Sequence, residues 1–169
     1  MNRRKFISLV GGGVVLAAGV AAGLRVTRTP DEALLPWKRA GSTYSEPRMR
    51  ALSYAILAPN PHNRQPWRID LSAPGEVKLL VDQDRLLPHT DPFNRQITVG
   101  LGCFLELLRL AGAADGYRVD LDLFPDGFDE TALDARPVAV ATFTKDPTVA
   151  PDPLFDHVLE RRSHKEAFD

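Results

Sequence analysis

The sequence predicts an α+β fold, a mainly antiparallel sheet flanked by helices, and three observations carry that expectation. Trp67, Ile69 and Leu71 alternate with polar residues, as do Val77, Leu79 and Val81 beyond Ser72-Ala73-Pro74-Gly75, the pattern of a hairpin with one buried face. A long segment from about Asn94 to Ala114 sets Ile97, Leu101, Phe104, Leu105, Leu108 and Ala111 on one helical face. Alternation then returns in Tyr117, Val119, Leu121 and Leu123 and, after a turn at Pro125-Asp126-Gly127, in a fourth strand from Val138 to Phe143.

The elements follow in order. Residues 1–24 stand apart from the fold: Arg3, Arg4 and Lys5 precede an apolar, glycine-rich run from Phe6 to Leu24, and Val20-Ala21-Ala22 offers a small-residue cleavage point. The Asn2-Arg3-Arg4-Lys5-Phe6-Ile7 start resembles a twin-arginine export signal, which implies the export machinery as a partner and a periplasmic or cell-envelope location. Residues 25–43 read as a linker, with Trp37 docking on the body, and residues 44–146 as the first structural half. Ser45 is expected to cap a helix running to about Leu57, with Met49, Leu52, Tyr54 and Ile56 on its buried side and Pro59 ending it. Leu107 and Leu110 widen the apolar face of the long helix, which predicts burial on most sides, at a domain centre or an interface. Residues 147–169 read as a second linker and the start of another unit, with a last helix from Leu154 to Arg162, so the chain is expected to be incomplete.

Composition narrows the function. A length of 169 residues and 44% hydrophobic content suit one domain with a real core. A net charge of −1 gives no reason to expect nucleic acid. The lone Cys103 cannot form an internal disulfide and reads as a small buried hydrophobe among Phe104, Leu105, Leu107 and Leu108. His62, His89, Asp82, Asp84 and Asp91 have no metal-ligand spacing, and Gly100-Leu101-Gly102 lacks the third glycine of a dinucleotide fingerprint.

The densest chemistry lies in Ala58-Pro59-Asn60-Pro61-His62-Asn63-Arg64-Gln65-Pro66-Trp67. Its three prolines exclude a regular helix or ladder strand, so the amides of Asn60, Asn63 and Gln65 are presented from a stiff loop beside an aromatic wall. A plain surface turn has the same composition. The order helix, Ala58-Pro59-x-x-x-Asn63-x-Gln65-Pro66-Trp67, strand resembles the nitroreductase-like flavoprotein family. Asp84-Arg85-x-Leu87-Pro88-x-x-Asp91-Pro92 ahead of Gly100 resembles the subgroup in which two such halves share one polypeptide. Arg161-Arg162-Ser163-His164-Lys165-Glu166-Ala167-Phe168 resembles the family segment whose basic groups hold the flavin phosphate.

The resemblance implies FMN as cofactor, NAD(P)H as co-substrate, a nitroaromatic or quinone acceptor, and a site completed by a dimer partner or by a second half of the chain. It assigns cofactor contacts to Asn60, Asn63, Gln65, Arg161, Arg162, Ser163 and Lys165. The flavin performs the chemistry, and no side chain is nominated as an acid or base. Asn60 and Pro61 stand where the family has two serines, which removes those hydroxyl contacts. A non-catalytic flavin-binding protein and a cofactor-free remnant stay open beside the enzyme.

Overall fold

The computed structural model describes residues 2–27, 31–42, 44–163 and 166–167, with side chains left aside at positions 4 and 6–12. It divides into two units, Met1–Leu35 and Pro36–Asp169. The first holds α1 (Arg3–Thr27), on which Val14, Val15, Leu16, Val20, Leu24 and Val26 are exposed. The boundary falls within α2 (Asp31–Arg39). Part of the expected linker is therefore helical. Asp31 and Glu32 in its first turn and Lys38 and Arg39 in its last complement the helix dipole. Trp37 is half-buried.

The second unit is an antiparallel sheet under two helices. Strands β1 (Trp67–Asp70), β2 (Glu76–Val81), β3 (Tyr117–Leu123) and β4 (Ala139–Lys145) are ordered β1-β2-β4-β3, each antiparallel to its neighbour. β2 and β3 thus point the same way, joined through α4 (Arg95–Ala114), and β4 fills the gap between them. Period-two alternation turns Val77, Leu79, Val81, Val119, Ala139 and Ala141 toward the core. Ile97, Leu101, Phe104, Leu105 and Leu108 of α4 join them there, and α3 (Pro47–Ala55) adds Ala51, Leu52 and Ala55. Among the described residues α4 is long and apolar enough to cross a bilayer, but its burial here makes it the core helix.

Three fastenings set the loops. Arg48 on α3 donates to the carbonyls of Leu71, Ala73 and Glu76, and so clamps the hairpin turn. Gly41, at φ 71°, packs so closely on Tyr54 that any side chain would collide with the ring, while its amide donates to Ser53 and its carbonyl accepts from Arg50. Gly112 lets α4 settle on the sheet, because an added Cβ would lie 2.4 Å from Val119 Cγ2.

Several expectations need correction. Glu46, not Ser45, caps α3: its carboxylate accepts from the Met49 amide, and Pro47 occupies the first turn. Ile56 lies beyond the helix and is exposed. β4 runs to Lys145 rather than Phe143. The last helix shrinks to a single 3-10 turn, Pro153–His157, begun by the Asp152 carboxylate on the Leu154 amide. Only Phe155 and Val158 of that stretch find apolar cover, too little to hold several helical turns.

Candidate functional site

The proline-rich loop leaves α3 through two tight turns, with the Leu57 amide on Tyr54 O and the Ala58 amide on Ala55 O. Asn60 is its internal brace. Its Oδ1 accepts from the Gln65 amide at 2.7 Å and its Nδ2 donates to Ala58 O at 3.1 Å, so both ends of the side chain are used inside the loop. The chain then turns through positive φ at His62, Asn63 and Gln65, a conformation that costs non-glycine residues free energy. The side chains of Asn63 and Gln65 are left exposed.

Arg64 and Arg85 lock this loop to the next one. Arg64 donates to the carbonyls of Arg85 and Asp84, while Arg85 donates back to Arg64 O and to the Asp82 carboxylate. The Asp82 amide also reaches Pro66 O at 2.7 Å. On its other side the loop meets α4 at Gly100, where an added Cβ would stand 3.2 Å from Pro61 Cδ and 3.3 Å from Asn60 Cβ. Pro59, Asn60 and Pro61 form one wall of an open, mainly apolar groove of about 400 Å³, and Arg95, Gln96, Val99, Gly100 and Cys103 form the other. Cys103 is therefore a groove residue as well as a packing one.

The basic segment returns to this loop. Arg161 Nη2 donates to Leu57 O at 2.8 Å across 104 positions of sequence. Arg162 is exposed and caps the carbonyls of Leu159 and Arg161, and Ser163 is exposed. Lys165 lies outside the described residues. The six nominated residues that are described thus separate by what they touch. Asn60 braces the loop, Arg161 ties the two segments together, and Asn63, Gln65, Arg162 and Ser163 present groups outward. Trp67 does not line this groove: its ring packs on Phe104 of the core with centroids 5.0 Å apart.

The donor set suits a ligand such as FMN, which joins a planar ring with a polar edge to a phosphate. Asn63 and Gln65 offer amide donors and acceptors, Arg162 and Ser163 offer charge and hydroxyl, and the groove offers an apolar surface. The sequence nominated the loop and the basic segment and missed Arg95, Gln96 and Val99. Their spacing on one face of the long helix was the available signal.

No family model matches the chain. It is 36% identical over 93 residues to "Putative NAD(P)H nitroreductase acg" of Mycobacterium tuberculosis, a match covering 55% of this chain and 28% of that relative. That similarity supports a nitroreductase-like family. A second relative, "Probable NAD(P)H nitroreductase PigM" of Serratia sp., is 32% identical over 81 residues, or 46% of this chain and 22% of its own length. The chain thus matches only about a quarter of the length of these curated relatives. The α+β architecture, with its four-stranded antiparallel sheet and flanking helices, is consistent with a nitroreductase-like fold.

Proposed function

We propose that the chain forms the flavin-binding part of an exported, FMN-dependent NAD(P)H oxidoreductase that reduces a quinone or nitroaromatic acceptor. The Arg161 bond to Leu57 O carries this reading, because it makes neighbours of the two segments that the resemblance assigns to one flavin. FMN, when bound, supplies the hydride chemistry. The protein binds and orients. Asn63 and Gln65 would bind the polar ring edge, Arg162, Ser163, Lys165 and the remaining donors of Arg161 would hold the phosphate, and the apolar groove would offer the ring a surface. Asn60, Arg64 and Arg85 hold the loop rigid. A second copy or a further half of the chain completes the site. Paired Arg3 and Arg4 ahead of an apolar helix support export by the twin-arginine route to the periplasm or cell envelope.

A second reading, flavin binding without turnover, is favoured by Asn60 and Pro61. The Asn60 amide is consumed within the loop and Pro61 has no donor, so two ligand contacts are lost from that wall. The purified chain titrated with FMN should quench flavin fluorescence and stay yellow after gel filtration removes free flavin, and NADPH should then be consumed with a quinone present. Uptake of FMN without NADPH consumption selects the second reading. A colourless chain that leaves FMN fluorescence unchanged sinks both.

A further inference from the structure

We propose that a hollow on the second unit, separate from the loop groove, binds a small organic cation of the quaternary ammonium type. Its volume is about 220 Å³, and Phe93, Phe124 and Phe128 line it together with Asp129 and Glu130. Phe124 and Phe128 stand 5.2 Å apart between ring centroids with planes inclined at 48°, so the hollow meets two differently oriented aromatic surfaces. Phe93 and Phe128 are 71% and 62% exposed, far more than their size warrants unless that surface has a use.

Charge decides the class of ligand. The lining contains two carboxylates and no basic residue, and the nearby Arg136 guanidinium, which also acts on Asp129, is paired with Asp134. Asp129 is held ionised below the usual carboxylate range by hydrogen bonds from the Thr131 hydroxyl and amide. The nearby start of α4, which by itself favours anions, is already met by Asp91, whose buried carboxylate accepts from the Ile97 amide. Aromatic faces attract a cation through the ring quadrupole, and a cation with a methylated surface also loses little on leaving water.

The backbone behind the walls is held before any ligand arrives. Buried Asn94 accepts from the Leu133 amide at 2.9 Å across 39 positions and donates to Asp91 O, which ties the Phe128–Leu133 loop to the helix start beside Phe93. The Phe124 amide on Val138 O and the Gly127 amide on Phe124 O fix the other side. Such preorganisation reduces the ordering cost of binding.

The test uses the whole chain with choline as probe, followed by proton NMR of its N-methyl signal. Ring currents should move that signal upfield on binding, with a dissociation constant on the order of millimolar for so small a ligand. Choline's neutral isostere, in which a tert-butyl group replaces the trimethylammonium, should bind at least about tenfold more weakly. Phe128→Ala should weaken choline about tenfold and Glu130→Gln about threefold, and both side chains are exposed enough for the fold to survive. Three results would overturn the proposal: equal binding of the isostere, no upfield shift at choline well above millimolar, or a dimer that Phe128→Ala dissociates and choline does not. The last would assign the patch to a second copy of the chain.

Discussion

Replacing glycine by alanine at two positions of α4 should move stability in opposite directions, which tests the helix-on-sheet packing directly. At Gly102 an added Cβ meets no heavy atom within 4 Å. Gly102→Ala should therefore collect the helix-propensity gain of about 1 kcal/mol without a packing cost. At Gly112 the same gain is available, but the Cβ would lie 2.4 Å from Val119 Cγ2 and 3.3 Å from Phe143 Cε1. Carbon atoms prefer separations of about 3.5–4.0 Å, so Val119 would have to retreat by about 1 Å inside a packed core. Overpacking of this kind costs about 1–3 kcal/mol, which leaves Gly112→Ala roughly 1 kcal/mol less stable than the parent. The two variants should thus differ by about 2 kcal/mol in urea unfolding, or several degrees in Tm. Adding Val119→Ala should return part of the loss in the Gly112→Ala background. If both glycine variants are stabilised alike, α4 does not lie on β3 as described.

Other perturbations separate fold from site. Gly100→Ala should leave stability within about 0.5 kcal/mol of the parent, because propensity offsets a mild contact, yet lower FMN affinity by pushing on Asn60 and Pro61; flavin titration alongside urea unfolding checks the split. Asn94→Ala should cost about 1 kcal/mol by leaving the half-buried Leu133 amide without its side-chain acceptor, and should raise hydrogen exchange at that amide. Burial opposes charging of Glu46, but hydrogen bonds from Arg48 and from the Met49 and Arg48 amides outweigh it and hold its pKa low. A carboxylate depressed in the folded state contributes stability above its unfolded pKa and loses it as pH falls through the folded value. Glu46→Gln should therefore be about 1 kcal/mol less stable near neutrality and converge with the parent in acid, as pH-dependent urea unfolding would report. Arg85→Ala should free the proline-rich loop from its neighbour, seen as faster proteolysis near Arg64 with little change in global unfolding.

The regular part of the fold was legible because burial imposes a period. Val77, Leu79 and Val81 could only be one face of a strand, and Ile97 to Ala111 only one face of a helix. The 3-10 turn at Pro153–His157 was not legible, because Leu154, Phe155 and Val158 fit a helical spacing and only the absence of surrounding cover shows that the helix stops. The site was half legible. Asn and Gln between prolines marked the loop, but whether an amide points outward or inward depends on partners such as Ala58 O and the Gln65 amide, which composition does not order. Trp67 shows the same limit, since an aromatic beside a polar loop reads as a ligand wall until Phe104 is found behind it. The Arg64–Arg85 exchange joins side chains to backbone carbonyls across 21 positions, and carbonyls carry no residue identity to read.

The position of β4 has a consequence for how the chain is made. Because β4 pairs with both β2 and β3, each of those strands keeps an unpaired edge until residues 139–145 have been synthesised. The hairpin and the long helix can form early from local contacts, but the sheet closes only through one late insertion between strands already placed. Before that moment one edge of β2 and both edges of β3 are open, a template for pairing with other chains. A ribosome that stalls before residue 139 would release a product with its helices intended and its sheet divided, so the balance between folding and aggregation rests on the arrival of one seven-residue strand.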